Sequence, residues 1–157
     1  MFQVLVKKRI ASLECGRIRV SFTKRTDLEK VPTMLRNVRT GYLRVATLET
    51  TAFDVVGYAD QCAGLDNVAT VLSELHEKLD PSKLKDTASV YPLPWVQRLG
   101  YLLDFVGAAE KTVKLAQFVA KSAKRATPLT PHRGMTGVAI DKKWNVAINV
   151  TVEPDEV

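Results

Sequence analysis

The chain has 157 residues, of which 46% are apolar and 25% charged, and a net charge of +6. A chain of this length buries a sizeable core as one domain without metal or disulfide help, and its composition suggests neither a disordered nor a membrane class. No apolar run reaches the length of a signal-peptide core or a membrane span, so the expectation is a cytoplasmic protein with no membrane partner.

The charge is unevenly spread. Residues 1–45 carry +8, residues 46–120 carry −4, residues 121–143 carry +5 and the tail from 144 carries −3. A basic segment of that density attracts either a phosphate backbone or an acidic protein surface. Cys15 and Cys62 stand far apart with no CxxC or Cys/His spacing, which predicts two ordinary thiols and no zinc site or disulfide. His76 and His132 are likewise expected to stand alone.

In chain order, FQVLVKK and RIRVSFTKR alternate apolar with other side chains and predict two half-buried strands. Gly16 in the intervening SLECG supplies turn chemistry, so the expected unit is a hairpin with Ile18, Val20 and Phe22 inward. Arg17 and Arg19 then project outward together, an arrangement suited equally to gripping phosphate and to keeping a sheet edge from aggregating. From Thr26 to Thr40 the pattern breaks around Pro32 and predicts an exposed loop bearing Arg36 and Arg39, after which GYLRVAT, with Arg44, predicts a third strand.

Thr47 and Glu49 are start signals for a helix with Ala52, Phe53, Val55, Val56 and Ala59 buried, ending at Gly64. Leu65, Val68, Leu72, Leu75 and Leu79 form an amphipathic stripe at spacings of three and four, a second helix. Asp80-Pro81 opens a short third helix, because Asp caps well and Pro is tolerated at the first helical position. PWVQRLGYLLDFVGA predicts a fourth helix, and Gly100 in its middle implies a neighbour packed close at that point. AEKTVKLAQFVAKSAKR predicts a fifth, and KWNVAINVTVE alternates as a long closing strand. The expected fold is α+β: a mixed sheet of N-terminal strands joined by the C-terminal strand, packed with about five helices, in a single domain over residues 1–157.

Catalytic machinery finds little support. Of the paired acids, Glu49 and Asp54 lie five apart and do not share a helix face, and in the pair Asp60 and Asp66 the second sits where a helix cap belongs. There is no GxSxG elbow, P-loop or GxGxxG, and Arg133-Gly134-Met135-Thr136-Gly137 reads as a turn. No catalytic residue, metal ligand or cofactor is predicted. The residues expected to meet a partner are Arg17, Arg19, Lys24, Arg25, Arg36, Arg39 and Arg44, and that partner is either nucleic acid, DNA or RNA, or an acidic protein.

Certain stretches resemble a known family. YLRVATLETTAFDVVGYADQCAGLDNVATVLSELHEKLDPSKL, then LPWVQRLGYLLDFVG and finally KKWNVAINVTVEPDEV, is similar to the C-terminal domain of AbiEi-type antitoxins, as are FQVLV and GRIRVSF at the start. The resemblance implies the antitoxin half of a two-gene, phage-defence (abortive infection) toxin–antitoxin system whose toxin partner is nucleotidyltransferase-like. Such antitoxins carry an N-terminal winged helix-turn-helix that represses their own promoter. Here the chain is expected to begin at the first strand of the C-terminal domain, leaving no room for a winged helix. Among the positions matching the family pattern, Asp54, Gln97, Arg98 and Tyr101 are polar, and they are expected either to form an internal hydrogen-bonded network or to touch a partner.

Overall fold

The computed structural model describes residues 2–154, and the chain divides into two compact units, Met1–Val31 and Pro32–Val157. The first unit holds a three-stranded sheet of β1 (Phe2–Val6), β2 (Leu13–Cys15) and β3 (Ile18–Lys24), in the order β1-β3-β2. Here the structure corrects the expected hairpin. β1 runs parallel to β3, with Phe2 opposite Val20 and Val6 opposite Lys24. The antiparallel partner of β3 is β2, which arises from SLEC, and the two are joined through Gly16-Arg17. Gly16 takes φ 59°, a left-handed conformation that side-chain-bearing residues rarely adopt. Ile18 is exposed, so the sheet lacks the strict alternation of buried and solvated faces.

The second unit opens with an antiparallel ribbon of β4 (Thr33–Val38) and β5 (Gly41–Ala46). β4 occupies the stretch expected to be loop. Its residues are nearly all exposed, so no apolar period betrays it.

Five helices follow: α1 (Leu48–Gly57), α2 (Leu65–Leu75), α3 (Pro81–Ala88), α4 (Leu93–Phe105) and α5 (Val113–Ser122). Their starts are set as the sequence implies. The Thr47 hydroxyl accepts from Thr50 N at 3.2 Å, and the Asp80 carboxylate accepts from Ser82 N and Lys83 N at 2.8 and 2.9 Å. α1 ends earlier than expected, at Gly57. A short 3-10 turn, Ala59–Cys62, then leads through left-handed Ala63 to Gly64, which caps the start of α2.

α4 is the central helix, touching α1, α2, α5 and the C-terminal strands. Val96, Leu99, Leu102 and Leu103 are completely buried, together with Phe53, Val68, Leu72, Leu84 and Leu115 from the other helices. Gly100 has the close neighbour its position implies. A Cβ there would lie 2.1 Å from the Trp144 ring, so only glycine admits the indole. The same ring donates its Nε1–H to Asp104, one turn further along α4, at 2.7 Å. Lys143 Nζ at 2.6 Å and the Thr112 hydroxyl at 2.7 Å donate to that carboxylate as well.

The closing segment differs from expectation. In place of one long strand joining the N-terminal sheet, β8 (Val146–Ala147) lies between β6 (Thr127–Pro128), parallel, and β7 (Ile140–Asp141), antiparallel, in a separate small sheet. Residues 149–154 remain outside any strand. The α+β class holds, with three small sheets in place of one. Among the described residues, no helix is long and apolar enough to cross a membrane.

Candidate functional site

Two places carry chemistry: the β4–β5 ribbon and a cleft floored by α4. In the ribbon, Leu35 faces Arg44 and Asn37 faces Tyr42 across the strands, while Arg36 pairs with Leu43 and Met34 with Val45. Cross-strand partners share a face, so Arg44 and Tyr42 project on one side and Arg36 on the other, with Arg39 at the turn. All three arginines are exposed, and none has an ion-pair partner among the described residues. No acid occurs from Thr33 to Ala46. The ribbon also exposes large apolar groups: Tyr42 is 73% exposed, Leu35 64% and Leu43 55%. Leu35 was not legible as a site residue because its strand was itself hidden, and Tyr42 and Leu43, on the expected strand β5, carry no charge to mark them.

The remaining predicted basic residues lie in the first unit and are dispersed. Arg17 sits in the β2–β3 turn, not on a strand, and Lys24 is exposed at the end of β3. Arg19 is exposed but bonded to Glu14 across the strand pair, Nε to Oε1 at 2.7 Å. Arg25 is buried, and its Nε donates to Asp27 Oδ1 at 2.7 Å. That bond is the main reason the Asp27 carboxyl is held below its ordinary range.

The polar residues of the family pattern are not gathered into one network. Asp54 accepts from the Tyr91 hydroxyl at 2.8 Å, and the Tyr91 ring stacks on Phe53 with centroids 4.6 Å apart. Gln97 is buried and donates through Nε2 to the carbonyls of Trp144, Asn145 and Arg125 at 3.1, 3.0 and 3.3 Å. It therefore ties α4 to the closing segment. Tyr101 is half-buried beside Phe105, and burial, then the Asp141 charge, raises its hydroxyl above the ordinary range.

Arg98 makes one hydrogen bond among the described residues, from Nε to Pro128 O at 2.8 Å, although it is only 9% exposed. Its partner is thus a backbone carbonyl thirty residues along the chain. Arg98 lines a cleft of about 200 Å³ together with Asp60, Gly64, Leu65, Asp66, Thr130, Arg133 and Thr151. Burial pushes its pKa down. His132, expected to stand alone, brings Nε2 to 3.1 Å from Asp60 Oδ2.

The fold and these surfaces define a small α+β domain with a charged ribbon and, among the described residues, no cluster of three or more His, Cys, Asp or Glu able to hold a metal. Family comparison goes further, because the model of the AbiEi antitoxin C-terminal domain matches residues 1–105, well over half the chain. The chain belongs to this family. Neither the curated proteins nor the solved structures compared with it give a match. Membership makes it an antitoxin domain of a toxin–antitoxin system, from a family that is generally non-enzymatic.

Proposed function

We propose that residues 1–157 act in the cytoplasm as a single antitoxin module that counters a nucleotidyltransferase-like toxin, with the β4–β5 ribbon contacting DNA or RNA. The nature of the toxin and a role in phage defence and transcriptional regulation rest on the family resemblance. The observation that carries the nucleic-acid contact is the set Arg36, Arg39 and Arg44, exposed on an acid-free ribbon with no ion-pair partner among the described residues. Unpaired guanidinium groups on both faces and at the tip suit a phosphate backbone, and exposed Tyr42 offers a ring for a base to stack on. In the first unit, taken by itself, Arg17 and Lys24 are exposed, whereas Arg19 is held by Glu14 and Arg25 is buried and paired.

A second reading, a protein-interaction module without nucleic acid, is favoured by the exposed Leu35, Tyr42 and Leu43 on the same ribbon. Salt separates the two. In gel shifts with DNA and RNA, binding is expected to weaken steeply as salt rises, and Arg36→Glu, Arg39→Glu and Arg44→Glu together should abolish it while the thermal melt stays in place. A salt-independent response, or unaltered binding by the triple variant, removes the nucleic-acid reading. Antitoxicity of that variant in cells carrying the toxin then tells whether the ribbon serves the antitoxin role.

A further inference from the structure

The two faces of the β4–β5 ribbon are unlike. Side chains alternate along a strand and cross-strand partners share a face, so the register gathers Leu35, Asn37, Tyr42 and Arg44 on one side. The other side carries Met34, Arg36, Val38, Leu43 and Val45. One face is therefore a guanidinium among apolar chains, whereas the other joins a phenol ring, an amide and a guanidinium to a single leucine.

Nothing within the described residues uses that ring. Tyr42 is 73% exposed, more than any other large apolar residue among them. Neither Tyr42 nor Asn37 nor Arg44 has a side-chain hydrogen bond, ion pair or ring contact among the described residues. Their positions are nonetheless fixed by the ladder, which pairs Thr33 with Ala46 at one end and Val38 with Gly41 at the other. Gly41 takes φ 130°, which side-chain-bearing residues rarely adopt, and so sets Tyr42 beside the turn. Asn37 stands directly across from the ring, about 5 Å away between Cβ atoms, and Arg44 follows about 7 Å along the same strand.

Each group answers one part of a nucleotide. The ring offers a flat surface to a base, the amide sets a donor and an acceptor side by side for a base edge, and the guanidinium meets a phosphate. Inside a duplex a base has both faces covered by its neighbours and its pairing edge taken by its partner strand, so ring and amide can act together only on an unpaired base. Arginines alone would hold a duplex equally well, since phosphate contacts carry no such demand. No acid from Thr33 to Ala46 repels the backbone. Of the groups a protein contact would use, Val38, Leu43 and Val45 lie on the reverse face.

We propose that the Tyr42 face of the ribbon binds single-stranded nucleic acid, with an unpaired base on the Tyr42 ring, its edge toward Asn37 and an adjoining phosphate at Arg44. This rests on the nucleic-acid reading of the ribbon and narrows it to unpaired strands.

The test is fluorescence anisotropy of the full chain with dye-labelled oligothymidylate, oligouridylate of the same length and a blunt duplex, at one salt concentration and then across a salt series. At least one single strand should bind more tightly than the duplex, and comparison of thymidylate with uridylate separates DNA from RNA. Tyr42→Leu should weaken single-strand binding about tenfold, the loss of one base–aromatic stack, and so erase the preference over duplex, while Tyr42→Phe keeps it. The thermal melt should not move, because the ring is exposed. Should Tyr42→Leu not fold, Asn37→Ala on the same face should lower single-strand affinity severalfold, as loss of a hydrogen bond does. Tighter binding to duplex, a loss equal on duplex and single strands, or single-strand binding untouched by both variants overturns the proposal; salt-sensitive binding retained in those cases leaves the wider nucleic-acid reading standing. Absence of binding to every probe removes both.

Discussion

The helical body and the β4–β5 ribbon use the same residue types in opposite ways. In the body, Phe53, Leu99 and Trp144 are fully buried, and two acids among them are spoken for: Asp104 by Trp144, Lys143 and Thr112, and Glu49 by the backbone of Asp80. In the ribbon, Leu35, Tyr42 and Leu43 lie in solvent and three arginines go unpaired. The body spends its chemistry on holding itself together, while the ribbon leaves its chemistry open to something else. Two strands alone make a marginal structure in water, so the ribbon depends on its anchorage at the start of α1, where Thr47 N donates to Pro32 O at 3.3 Å and the Thr50 hydroxyl to the same oxygen at 2.8 Å.

Substitutions should divide along that line. The largest effect is expected at the α4 notch. Trp144→Ala should cost about 3–5 kcal/mol by urea denaturation, because it empties a fully buried indole site and leaves Asp104 short of a donor. Gly100→Ala probes the same packing from the other side. Alanine favours a helix over glycine by about 1 kcal/mol, but its Cβ would fall 2.1 Å from the indole, and overpacking of that kind costs about 1–3 kcal/mol, so a net loss is expected. A stabilised Gly100→Ala protein would mean that the ring does not sit there.

Next comes a pH effect at the start of α3. The N–H bond from Lys83, opposed by burial and aided by that from Ser82, lowers the Asp80 carboxyl below 3.8. A carboxyl depressed in the folded state stabilises fully above its unfolded pKa and loses that contribution as pH falls through the folded value. Asp80→Asn keeps an acceptor at the cap without the charge. Its urea midpoint should therefore trail the wild type at neutral pH and converge with it below pH 3.8, whereas a constant gap would locate the effect elsewhere. The smallest effect on stability belongs to the ribbon: Leu35→Ser with Leu43→Ser should move the denaturation midpoint by no more than about 0.5 kcal/mol equivalent, as exposed sites do. Antitoxicity in cells is where that pair should register.

The helices were readable in the sequence because each signal is local. Thr47 and Asp80-Pro81 cap within one turn, and the Leu65 to Leu75 stripe repeats with the helix. β4 was hidden because alternation reveals a strand only when one face is buried, and both faces of TMLRNV meet solvent or nearly so. The closing segment shows the converse. Trp144, Val146 and Val152 are buried as the alternation implies, but so is Ala147, and Trp144 lies in a turn with Asn145 at φ 54°, so only Val146–Ala147 pairs with other strands. Of the candidate site, the arginines of the ribbon were legible as charge. The cleft was not, because the Pro128 carbonyl that Arg98 meets lies thirty residues away.

The Gly100 notch also separates two boundaries that are easily taken for one. The family model matches the chain up to residue 105, the last residue of α4, while the indole that completes that helix arrives from residue 144. During synthesis α4 leaves the ribosome about forty residues before its ring does, with Leu99 and Leu102 made well ahead of their final cover. The last stretch of chain thus acts as a keystone, because it fills a notch in a helix that lies wholly within the matched residues.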